Sequence, residues 1–165
     1  MKKHVLWIYA LAICMTFSLV SCKKAAPVYS DRVSASELAE EVEDELEQTD
    51  FRDANGDWLS DYVTLPDGLS DYKICYSSEG NNLNEFGIWH VKSDQIAPVE
   101  ATLRTYLAES LLRNRTFYDS YIPEETPKLE HAEVRVIGNY VCYAILNESD
   151  REIFFRTIEE ELTES

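Results

Sequence analysis

Three groups of residues have types and spacings that could carry chemistry. Asp53-Ala-Asn55-Gly56-Asp57 presents oxygen ligands at positions 1, 3 and 5 of a calcium loop, with Asp61 at position 9. Such a loop needs a sharp turn at position 6 and a bidentate acid at position 12. Those positions hold Trp58 and Thr64, so Asp53, Asn55, Asp57 and Asp61 are an incomplete calcium set, and an ordinary Asn-Gly turn is the competing reading. His90, His131, Cys75 and Cys142 are soft ligands, but no two have the close spacing of a structural zinc site. A Cys75–Cys142 disulfide is open outside the cytosol, and two buried free thiols are the leading alternative. The chain has no G-x-S-x-G elbow, no H-E-x-x-H and no phosphate loop. No catalytic residue, metal site or cofactor is therefore assigned. Trp58, Tyr118 and Tyr121 are expected in loops, either as a platform for sugar or peptide or as cover for the end of the core. Phe117 and Ile122 beside them favour packing.

The N-terminus carries different information. Met1-Lys-Lys-His4 is basic, and residues 5–20 contain no charge. Sixteen helical residues span roughly 24 Å, short of the roughly 30 Å hydrocarbon core. A basic start, an apolar stretch and a small residue at its end describe an export signal. Leu19-Val20-Ser21-Cys22 resembles the lipobox of bacterial lipoproteins. That resemblance implies diacylglycerol on the Cys22 sulfur and cleavage before Cys22. Cleavage removes 21 of 165 residues and leaves 144; it takes Lys2 and Lys3 but no acid, so the charge moves from −16 to −18. The expected organisation is a signal peptide over 1–21, a tether over 22–33 and one domain over 34–165. Two acyl chains anchor stably, and the acidic domain is repelled by an anionic membrane surface. Acids outnumber bases 31 to 15, which argues against nucleic-acid binding. Hydrophobic residues make up 45%, which excludes a wholly disordered chain.

These residues must be positioned by a folded domain. Ser34 and Glu37 form a capping box, and Leu38, Val42 and Leu46 mark the apolar stripe of a first helix. Residues 50–70 are expected to be irregular. Alternating apolar residues predict strands over 71–77 and 86–92. Ser93 or Asp94 is expected to cap a second helix with Pro98 in its first turn and a core stripe through Ile96, Val99, Leu103, Tyr106, Leu107 and Leu111. A loop is expected over 116–130. Strands over 132–137 and 140–146 are joined tightly at Gly138-Asn139. A second capping box, Ser149 to Glu152, opens a last helix with Phe154, Ile158 and Leu162 on one face. The pattern predicts an α+β fold: an N-terminal helix and then two ββα units, forming a four-stranded antiparallel sheet with the helices packed on one face.

Residues 58–162 resemble a family of Gram-positive lipoproteins known as DUF4358. The matching stretches are Asn84-Glu-Phe-Gly-Ile-Trp-His-Val-Lys-Ser-Asp94 with Val99 and Leu103 in the helix that follows, Phe117, Tyr121-Ile-Pro123, Leu129-Glu-His-Ala132, and Val134-Arg-Val-Ile-Gly-Asn-Tyr-Val141. The resemblance implies an exported, lipid-tethered α+β domain on the outer face of the cell membrane. It implies no reaction and no functional residue. The expected function is a non-catalytic binding or interaction module, joined to the membrane by lipid and meeting an envelope protein or glycan. The alternative is a small envelope hydrolase using an acid pair or a histidine.

Overall fold

The computed structural model describes residues 27–46, 48, 50–54, 69 and 71–164. Its elements are α1 (Ala35–Leu46), β1 (Phe51–Asp53), β2 (Tyr72–Ser77), β3 (Glu85–His90), α2 (Ile96–Tyr121), α3 (Thr126–Glu130), β4 (Glu133–Ile137), β5 (Tyr140–Ile145) and α4 (Glu148–Leu162). The strands form one antiparallel sheet in the order β1-β2-β3-β5-β4. The fold is α+β, as expected, but the sheet has five strands. The fifth is β1, three residues that pair Phe51 with Ser77 and Asp53 with Cys75 along the edge of β2.

The helices cover both faces of the sheet, not one. Cys75, Phe86, Ile88, Tyr140, Cys142 and Ala144 face α1 and α4, where Leu38, Val42, Phe154 and Ile158 close the first core. The alternate residues Ile74, Trp89, Val141, Tyr143 and Ile145 face Val99, Leu103 and Leu107 of α2 and Leu129 of α3 in the second. The cause lies in β5, where all six residues are buried. Successive strand residues point to opposite faces, so a strand apolar at both parities needs cover on both sides.

Most local signals act as the sequence predicts. The Ser34 hydroxyl accepts from the Glu37 amide at 3.2 Å, and the Glu37 carboxylate accepts from the Ser34 amide at 2.8 Å. These bonds hold the Glu37 carboxyl below its usual range. Gly138 takes φ of 58°, as a two-residue hairpin turn requires. Three expectations are corrected. Gln95, with no side-chain cap bond, precedes α2 in place of Ser93 or Asp94. Asn147 caps α4 in place of Ser149: its side chain accepts from the Asp150 amide at 2.9 Å. Of residues 116–130, expected in a loop, 116–121 complete α2 and 126–130 form α3. α2 stops just before Pro123: Ile122, at φ −143° and ψ 57°, has left the helical conformation that a following proline disfavours. At 26 residues α2 is about 39 Å long, roughly twice the length of any strand. Among the described residues no helix is long and apolar enough to cross a membrane.

Gly87 lies beneath the Trp89 ring, which stacks on Tyr143 at 5.3 Å between centroids. A Cβ at position 87 would come within 2.5 Å of both rings, and both are fully enclosed. Gly87→Ala should therefore cost about 1–3 kcal/mol by overpacking. Urea denaturation should show a lower midpoint at unchanged slope. An unshifted midpoint would contradict this packing.

Candidate functional site

The two ends of the sheet differ in chemistry. The first end holds the β4–β5 turn and the C-terminus of β3. A strap, residues 27–33, lies across it. Tyr29 bridges to Thr163, the Ser30 amide donates to the Leu162 carbonyl at 2.6 Å, and the Glu164 amide donates to the Val28 carbonyl at 3.1 Å. Beneath the strap, His90 Nε2 lies 2.6 Å from an Asp31 carboxylate oxygen and Nδ1 lies 2.9 Å from one of Asp71, so the charged ring donates to both. Its ring stacks on Tyr140, 4.4 Å between centroids. Burial opposes the charged imidazolium, but the bonds to Asp31 and Asp71 outweigh it and raise the His90 pKa. Reciprocally, the bonds from His90 and then Asn139 lower that of Asp31. Burial pushes the Tyr140 phenol up to about 12, so it is neutral here.

The opposite, far end is built from the C-terminal half of α2, from α3 and from the N-terminus of α4. Glu85 opens β3 there and accepts from the Tyr106 hydroxyl at 2.8 Å and from the Tyr143 hydroxyl. Burial raises the Glu85 pKa, and the two phenol bonds offset only part of that rise. Beside it, a cleft of about 350 Å³ lies between α3 and α4, lined by Lys128, His131, Asn147, Glu148 and Arg151. Its cations already have partners. Lys128 donates to Glu125 at 2.7 Å, and Arg151 donates to the Leu146 carbonyl at 3.3 Å. The Nδ1 of His131 is 2.9 Å from the Pro127 carbonyl. Phe117 and Tyr121 stand out from α2, 54% and 73% exposed, with ring centroids 4.9 Å apart.

The residues singled out by sequence separate under this geometry. Cys22, Asn55, Asp57, Trp58 and Asp61 lie outside the described residues. Asp53 ends β1 and accepts from Lys73 at 2.5 Å. It also lies near Cys75 and Glu43, whose ligand-type atoms with its own all fall within 4.8 Å of one another. That cluster is closed on itself: the Cys75 thiol donates to Glu43 at 3.1 Å, and burial pushes its pKa well up. Cys75 and Cys142 are both buried and free. They share a face, but β3 runs between their strands and they are offset by two residues along it, so they sit roughly 12 Å apart, beyond disulfide reach. His90 and His131 lie at opposite ends of the sheet, so the four soft ligands do not converge on one site. The aromatic group divides as well. Tyr118 packs against the second core, while Phe117 and Tyr121 are exposed, and all three are helical.

Sequence reasoning missed the partners of His90, which lie 59 and 19 residues away, and the enclosure of Glu85 by two tyrosines. Neither has a local signal. The only hint was a polar residue at each end of an apolar strand.

Residues 61–146 match the domain of unknown function DUF4358. The match spans just over half of the chain, which belongs to that family. No curated protein and no solved structure matches it.

Glu85 generates a stability prediction. Its folded pKa is raised, so its contribution is fully present below its unfolded value near 4.3 and is lost as pH rises through the folded value. Glu85→Gln keeps an acceptor for both phenols and cannot ionise. Between pH 4 and 8 the wild type should lose stability relative to Glu85→Gln. A constant difference across that range would show that Glu85 is not held in its neutral form.

Proposed function

We propose that this chain is a membrane-tethered binding module on the outer face of the cell membrane, anchored through lipid on Cys22 and not an enzyme. The lipobox at Leu19–Cys22 supports the anchor. The observation that carries the reading is the opposite placement of strap and exposed aromatics. Four residues separate Cys22 from Pro27, where the strap begins, and the strap is bonded across the first end of the sheet. Phe117 and Tyr121 project from the far end, on a helix whose mid-point residue Tyr106 already bonds to the first residue of β3. The fifteen residues after Tyr106 add roughly 22 Å of helix. A tether at the first end therefore presents the aromatic pair away from the bilayer, toward an envelope protein or glycan. Exposed aromatic rings at a fixed position are the usual anchors of recognition surfaces.

The chemistry of the histidines supports binding over hydrolysis. A general base needs a ring nitrogen within reach of the proton it removes. Both nitrogens of His90 are engaged by carboxylates, and one nitrogen of His131 is held by a backbone carbonyl. The acidic outer faces of α1 and α4, with −18 on the cleaved chain, disfavour nucleic acid as the partner.

The test is photo-crosslinking in the native envelope. A photoreactive amino acid at position 121 of the full chain should yield a discrete adduct, and one at Glu41 on α1 should not. Phe117→Ala combined with Tyr121→Ala should change the unfolding free energy by no more than the scatter of surface substitutions, about 0.5 kcal/mol, while weakening capture. Cys22→Ala should release the protein from the membrane fraction. Equal adducts at positions 121 and 41, or stable membrane attachment of unlipidated Cys22→Ala, would overturn the reading.

A further inference from the structure

We infer that Asp31, His90 and Asp71 form a proton-operated latch that fastens the strap to the first end of the sheet, closed when His90 is charged and weakened when it is neutral. The inference concerns the strap itself and does not depend on what precedes residue 27.

The geometry sets the logic. A charged imidazole has two N–H donors and no acceptor, and here each donor meets a carboxylate. A neutral imidazole has one donor and one lone pair. Whichever nitrogen loses its proton then faces a carboxylate at under 3 Å as a second acceptor. The two carboxylates are not equivalent. Asp71 also accepts from the Ala35 amide at the start of α1, at 3.0 Å, and its side chain is 37% exposed. Asp31 is 60% exposed and keeps only the Asn139 amide, at 3.0 Å. Where the neutral ring keeps its proton on Nδ1, toward Asp71, the bond that opens is the one to the strap.

Among the described residues, Asp31 and Asp71 are the charged groups bonded to the ring. Asp31 faces the ring from the strap, Asp71 faces it from the segment before β2, and Tyr140 and Asn139 face it from the β4–β5 hairpin. Tyr140 stays neutral until about pH 12. α1 contributes the Ala35 amide through Asp71, with the Ser34–Glu37 capping box beside it. The sign follows from linkage. His90 has a raised pKa, so its contribution is full below its ordinary value near 6.5 and is lost as pH rises through the folded value. Asp31 has a lowered pKa, so its contribution is full above about 3.9 and is lost on strong acidification. The latch is thus tightest from about pH 4 to 6.5 and opens on the alkaline side. Opening does not dissolve the strap, because the backbone bonds of Ser30 and Glu164 and the Tyr140 bond to the Val33 carbonyl at 2.6 Å remain. It lowers the free energy needed to peel the strap away. A fully peeled strap of seven residues adds roughly 23 Å of reach between the domain and the preceding chain.

The test is hydrogen exchange on the full chain, read by NMR with a histidine titration in the same sample. The His90 ring should titrate above 6.5. Protection factors of the Ser30 and Glu164 amides, corrected for intrinsic exchange, should fall across that titration by about tenfold for each pH unit of the rise. The Tyr143 amide in β5 should not follow. Asp31→Asn should lower strap protection at pH 5 and reduce its pH dependence. His90→Gln should abolish that dependence; if it fails to fold, Asp31→Asn carries the test alone. Strap protection that stays flat through the His90 titration, or that Asp31→Asn leaves unchanged, would overturn the latch.

Discussion

Everything in this fold depends on β5 being buried at every position. Tyr140, Cys142 and Ala144 supply one core and Val141, Tyr143 and Ile145 the other. A strand with no solvent face must lie inside the sheet and be covered on both sides. β3 and β4 flank it, α1 and α4 close one side, and α2 and α3 close the other. With both faces covered, the two ends of the sheet carry distinct chemistry among the described residues. The first end is closed by the strap, and its polar groups are held in the Asp31–His90–Asp71 arrangement. The far end carries the cleft beside α3 and the unburied tip of α2.

Polar groups at the sheet margins follow from the same constraint. Glu85 and His90 are the first and last residues of β3 and point to opposite faces. Each is where an apolar strand meets the boundary of its core, and each is satisfied by side chains distant in sequence. Glu85 takes two phenol donors and is stabilised as the neutral acid, because a buried carboxylate lacks the solvation that water would give it. His90 is less enclosed and meets two carboxylates, so its charged form is favoured. Two ionisable residues five positions apart thus have opposite preferred charge states, set by what surrounds them.

The parts of the fold legible in the sequence were those with local causes. The Ser34–Glu37 box, the Gly138-Asn139 turn, the core stripe of α2 from Val99 to Leu107 and the positions of β2 to β5 each rest on residues close in the chain. β1 escaped because three residues, Phe51-Arg-Asp53, are too few to show a period, and it exists only through pairing with β2. The two-sided cover was present in the unbroken apolar run of β5, but the hairpin order pointed to a one-sided sheet. The extension of α2 to Tyr121 was masked by Arg113 and Arg115, which resemble the basic end of a helix. The site residues were the least legible. A pair such as Asp31 and His90 is made by register and strap placement, which no spacing encodes. The aromatic pair Phe117 and Tyr121 was expected in a loop beside a packed core, and its exposure follows from a helix longer than the strands beneath it.

The central claim is that the domain has a tethered end and a presenting end. It is tested most directly by depth measurements on the lipidated full chain bound to liposomes. Spin labels at Lys92, beside the strap end, and at Tyr121, on the far tip of α2, are compared for relaxation by a paramagnetic chelate fixed to the lipid headgroups. Cys75 and Cys142 are buried and do not compete for the label. The account predicts strong relaxation at position 92 and little at position 121. Equal relaxation at both, or stronger relaxation at 121, would contradict it.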